Sequence, residues 1–125
     1  MNRVRVIRGG DRDRGQVALE YVGFLFFLLL VGVGGIQLGW TAYVTQQAET
    51  AARTAARAEA RHPGEGVATG RAAIRPSLAR RADIVPLKDD DVIRMTVTIT
   101  IDSIVPGVAD HTVVRTAVMP NDDPR

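Results

Sequence analysis

Residues 21–40 read YVGFLFFLLLVGVGGIQLGW, and this uncharged stretch decides the architecture of the chain. A helix rises about 1.5 Å per residue, so about 20 apolar residues match a hydrocarbon layer about 30 Å thick. The absence of charge continues from Tyr21 to Ala48, with Phe, Leu, Val, Ile and Gly dominating as far as Trp40. In a chain of 125 residues this predicts a single membrane span, followed by one small module.

The flanks give the span a direction. Arg3, Arg5, Arg8, Arg12 and Arg14 precede it against Asp11 and Asp13, whereas no basic residue follows it until Arg53. Excess Lys and Arg marks the cytoplasmic side, so the N-terminus is expected inside and the C-terminal part outside. Tyr21 at one end and Trp40 with Tyr43 at the other suit the two interfaces, where amphipathic rings settle. The net charge of +2 conceals this polarity: the leader through Gly15 carries +3 and residues 62–125 carry −1. That asymmetry speaks for membrane orientation, and no interleaving of aromatic and basic residues suggests nucleic-acid binding. The chain has no cysteine, which excludes disulfides, thiolate metal sites and cysteine nucleophiles.

A secretory signal would have an apolar core of roughly 7 to 15 residues and a small-x-small cleavage site after it. Here the run is longer and no such site follows, which leaves an uncleaved anchor or a cut placed before the run. Residues 15–20, GQVALE, support the second reading. A basic leader, Gly15, four residues, Glu20 and an apolar helix together resemble the processing site of type IV prepilins. In those families a membrane peptidase cuts after the glycine and leaves the glutamate fifth in the mature chain. Glycine puts no side chain in the way of a protease cleft. Cleavage would place a new positive charge on the amine of Gln16, where other pilins often have a hydrophobic residue. The resemblance implies that Glu20 meets the amine of a neighbouring subunit and sets its register, because unpaired charge in apolar surroundings is costly. A carboxylate reaching headgroup water, or the leader arginines, is the plainer alternative.

The stretch RGQVALEYVGFLFFLLLVGVGGIQLGWTAYVTQQAETAARTAAR narrows the resemblance to TadE-like proteins, the minor pseudopilins of tight-adherence pilus systems. The shared order is an arginine-containing leader, a Gly-x-x-x-x-Glu start, an apolar helix with a small aromatic region, and an alanine-rich segment. It covers residues 14 to about 61. It implies a structural or assembly role, with the membrane, a prepilin peptidase, other pilin or pseudopilin subunits and the assembly platform as partners.

Beyond the span the helix is expected to continue. Ala48, Ala51, Ala52, Ala55 and Ala56 recur at spacings of three and four, while Glu49, Arg53, Arg57 and Arg61 line another face. Glu49 four residues before Arg53 is the favourable order for an ion pair. Pro63 and Gly64 end the pattern, so a helix from Val17 to Arg61 is predicted. Within it Gly32, Gly35, Gly39 and Ala42 form a bare strip along which backbones of neighbouring helices can approach. Glycine is common in membrane helices anyway, which is the alternative explanation.

HPGEG, residues 62–66, reads as a turn. Val67 to Ala82 is predicted helical, with a break near Arg75 or a second helix starting at Pro76. Ile93, Met95, Val97, Ile99 and Ile101 alternate with polar residues, the pattern of a half-buried strand. Val105-Pro106-Gly107 begins a connection, Thr112–Met119 is its hairpin partner, and Ile84–Leu87 could add a third strand. The fold class is therefore α+β and pilin-like: a leader (1–15), a long helix (16–61) and an external module (62–125) with one or two helices and two or three antiparallel strands. The final PNDDPR is expected to fray.

Catalytic constellations are not evident. Asp89, Asp90 and Asp91 lack the spacing, central glycine and distal glutamate of a calcium loop and read as a solvated turn. His62 and His111 are isolated, Ser77 and Ser103 lack a nucleophile-elbow setting, and no glycine loop could cradle phosphate. The reading is a non-enzyme without cofactor, metal, nucleic acid or small-molecule substrate. The alternative function is an uncleaved single-span protein whose external module binds an envelope partner.

Overall fold

The computed structural model describes residues 10–121, with side chains from residue 15 onward. The leader residues Arg3, Arg5 and Arg8, the side chains of Arg12 and Arg14, and the end of the PNDDPR tail from Asp122 lie outside the described residues. The elements are α1 (Gly10–Arg61), α2 (Gly66–Ala72), α3 (Pro76–Ala79), β1 (Ala82–Lys88), β2 (Val92–Ile101) and β3 (His111–Pro120). The α+β expectation holds, with the sheet at three strands.

Helix α1 begins seven residues earlier than Val17. No proline occurs between Gly10 and Gly15 to break a helix. Gly15 costs the helix about 1 kcal/mol relative to alanine, too little to stop it among good formers. At the other end the His62 amide still donates to Ala58 O at 2.8 Å, and then Pro63 and Gly64 turn the chain. Gly64 has φ +95° and the Glu65 amide returns to His62 O at 3.1 Å, a Pro-Gly turn that needs a residue tolerant of positive φ.

The chain divides into two compact units, residues 1–35 and 36–125. In the first, the described apolar side chains are nearly all exposed: Phe24 is 61% and Leu29 60% accessible. The second holds the core. There the sheet order is β1-β2-β3, antiparallel throughout. Central β2 sends Ile93, Met95, Val97, Ile99 and Ile101 inward, each at most 2% exposed. Val44, Ala48, Ala51, Ala52, Ala55 and Ala56 of α1 join the same cluster. Each fully buried large side chain contributes about 1.5–3 kcal/mol of transfer free energy. The alanine face adds little area of its own; its small size lets other elements come close.

The interhelical segment resolves as the Pro76 alternative. Helix α2 stops at Ala72, α3 starts with Pro76 at its first position and buries Leu78, and Ala82 opens β1 rather than closing a helix. The third strand is longer than Ile84–Leu87, and β3 exceeds Thr112–Met119 by one residue at each end. The tail does not fray where it is described: Pro120 pairs with Val92, and the Asn121 amide donates to Asp91 O at 3.0 Å.

Candidate assembly surface

Gly15 and Gln16 lie inside α1, five and six residues past its start, and their side-chain surroundings are open. A protease that binds its substrate extended would have to unwind this turn. Glu20, one turn further along, is exposed on the same helix. Gly32, Gly35 and Gly39 are likewise open: a Cβ built at any of them meets nothing within 4 Å. Ala42 is exposed. Within the second unit, at 100° per residue, Gly39 and Ala42 project away from the face that carries Gln37, Val44 and Ala48 into the core. Among the described residues, none packs against the strip.

Close helix packing occurs instead at glycines that the sequence reading assigned to a turn and a short helix. A Cβ on Gly66 would come within 2.8 Å of Ala55 O, and one on Gly70 within 2.8 Å of Ala55 Cβ and 3.1 Å of Ala51 O. Gly66 and Gly70, four apart on α2, thus rest directly on two alanines four apart on α1. The signal was visible as G-x-x-x-G opposite A-x-x-x-A, but nothing local said which strip would be used. Glu59 fastens the same corner, accepting from the Gly64 and Gly66 amides at 2.9 Å each. The Gly66 amide is one of the donors left unpaired at the start of α2, and the Gly64 amide belongs to the turn before it.

The other missed residue is Gln37, the lone amide in the apolar run. It is 9% exposed, the one buried polar residue recorded among the described residues. Its Oε1 accepts the Ile104 amide at 3.0 Å, which ties the β2–β3 loop to α1. One turn later Thr41 Oγ1 meets His111 Nε2 at 3.2 Å, so His111 is not isolated as the sequence suggested. Ser103 is also engaged: its amide donates to Asp110 Oδ1 at 2.8 Å across the loop neck. The loop tip is a second Pro-Gly turn, with Gly107 at φ +81° and the Val108 amide donating to Val105 O at 3.2 Å.

Electrostatically, the exposed face of α1 carries the expected Glu49–Arg53 ion pair, and Arg81 pairs with Asp102 at the far end of the sheet from the Asp89–Asp91 turn. A shallow groove of about 470 Å³ runs between α1 and β3, lined by Glu49, Arg53, Arg57 and Arg115. The Asp89–Asp91 segment joins β1 to β2, with the Asp90 amide donating to Asp89 Oδ1 at 2.9 Å and the Asp90 and Asp91 carbonyls accepting from Asn121. Among the described residues, no cluster of three His, Cys, Asp or Glu is arranged to hold a metal.

No curated protein and no solved structure matches the chain. Helix α1 is long and apolar enough to cross a membrane, which fits a single-pass protein. Residues 15–57, starting at Gly15 and taking in Glu20, the glycine strip and the alanine face from Ala48 to Ala56, match the family model of TadE-like protein, a family of structural pilus components.

Proposed function

We propose that the chain is a minor pseudopilin of a tight-adherence type pilus or a related secretion apparatus, inserted with its N-terminus inside and its module outside, and cut by a prepilin peptidase after Gly15. The observation that carries this reading is order along the chain. A basic leader, Gly15, Glu20 and an apolar helix follow one another, and the family match begins at the glycine. In this reading Glu20 pairs with the Gln16 amine of a neighbouring subunit. Gly32, Gly35, Gly39 and Ala42 offer the strip along which that neighbour's helix approaches, since lipid-embedded helices associate by close packing rather than by apolarity.

The test is N-terminal sequencing of the protein recovered from its own membrane. A start at Gln16 supports the reading, and an intact leader in cells that contain a prepilin peptidase overturns it. Glu20→Ala is expected to be processed and to fail in assembly; normal pili from that variant would remove Glu20 from the register role. A second reading, an uncleaved single-span protein whose module binds an envelope partner, is favoured by the unbroken helix through Gly15. Resistance of that junction to the peptidase would select it.

A further inference from the structure

We infer that the β2–β3 loop, Ser103 to Ala109, is a second membrane contact whose apolar tip rests in the bilayer interface beside the outer end of α1. Its position is fixed by Gln37. The Ile104 amide is held on the Gln37 side chain, and Gln37 belongs to the apolar run, three residues before Trp40. That is about 4.5 Å on the lipid side of the aromatic residue at 1.5 Å per residue. The loop cannot reach Gln37 without descending to that depth.

Its chemistry suits the location. No charged residue occurs between Asp102 and Asp110, and the intervening SIVPGVA presents Ile104 and Val108 at 52% and 54% exposure. On α1 the neighbouring Ile36 and Leu38 are 65% and 74% exposed. Ile104 and Val108 on the loop, and Ile36 and Leu38 on either side of Gln37, are thus four exposed apolar side chains around the Gln37–Ile104 tie, and exposed apolar surface so concentrated marks an interaction surface. The loop is also built to be stiff. Its neck is closed by Ser103 and Asp110, its tip by the Pro-Gly turn, and its stem by Gln37 and by Thr41 with His111. A preordered loop loses little entropy on entering an interface. Trp40 and Arg80 line an open groove adjoining Ile104, beside the Arg81–Asp102 ion pair, which suits headgroup level, where indole rings settle and a base such as Arg80 meets an anionic phosphate. The occupant assigned to the patch is therefore lipid, continuous with the lipid around α1.

The inference rests on α1 spanning a membrane, and the experiment separates the two. Because the chain has no cysteine, single sites can be labelled cleanly. Full-length Val108→Cys, Ile104→Cys, Asp89→Cys and Leu30→Cys, each carrying an environment-sensitive fluorophore, would be placed in bilayer discs of phosphatidylcholine and phosphatidylglycerol. Labels at Val108 and Ile104 are expected to be quenched by lipids spin-labelled near the headgroup and to be several-fold less accessible to an aqueous quencher than the label at Asp89. Equal aqueous access at Val108 and Asp89, with Leu30 in lipid, overturns the loop contact and leaves the span intact. Leu30 outside lipid overturns both. Protection of Val108 only in assembled filaments would assign the patch to a neighbouring subunit and would also overturn it.

Discussion

The two compact units share one helix and use it in opposite ways. Up to Gly35, α1 carries the most apolar residues of the chain and leaves them exposed; from Val44 to Ala56 it carries small, weakly apolar residues and buries them. Hydrophobicity alone would have put the core at Phe24–Leu30. The core sits at the alanines because a three-stranded sheet and a short helix need a surface they can approach, and because the phenylalanines and leucines already have a solvent in lipid. Burial in this chain follows shape in one unit and surroundings in the other.

The sharpest way to break that comparison is a pair of truncations read by unfolding of the full chain in detergent micelles. Ile99→Ala, in the middle of β2 with no exposure, is expected to destabilise the module by about 2–5 kcal/mol through lost transfer energy and a residual cavity. Leu29→Ala, which removes a similar side chain from the exposed half of α1, is expected to leave the module's unfolding midpoint unchanged. Equal effects would show that the two halves are not distinct.

A smaller difference separates the two sets of glycines. Gly66→Ala drives a methyl into Ala55 O and the Glu59 side chain and is expected to cost about 1–3 kcal/mol, measured by the same transition. Gly35→Ala meets open space and should not lower it; its effect is expected in subunit assembly, scored by filament yield. Glu59→Ala, which leaves the Gly64 and Gly66 amides without their acceptor, is expected to cost about 1 kcal/mol, an ordinary capping loss. Smallest of all, Arg53→Ala breaks an exposed pair with Glu49 and should change stability by less than about 0.5 kcal/mol. A larger loss would mean that the α1–β3 groove holds more than solvent.

How much of this could be read in advance depended on the range of the interaction. The helix stop at Pro63-Gly64, the second helix at Pro76 and the inward set of β2 were legible because each is a property of neighbouring residues: ring sterics, positive φ and period-two alternation. The start of α1 at Gly10 is not legible in this way, because glycines at both ends of the segment and a run of alternating charges give no apolar periodicity to mark a helix. The order at Pro120 and Asn121 is not legible locally either, because the residues that hold them, Val92 and the Asp90–Asp91 turn, lie about thirty positions earlier. Of the candidate surface, Gly15, Glu20 and the glycine strip came from local pattern, and the structure leaves them open rather than engaged.

By itself the sequence determined a single long helix with an apolar half and an alanine half, and a β hairpin with one clean inner face, because periodicity reports which side of an element is apolar. Only the tertiary structure decided what covers each side. It chose Gly66 and Gly70 over Gly35 and Gly39 as the close-packing pair within the chain, gave His111 to Thr41, and set the Ile104 amide on Gln37, 67 positions away. Such pairings depend on where a sheet lands on a helix, and no window of neighbouring residues contains that information.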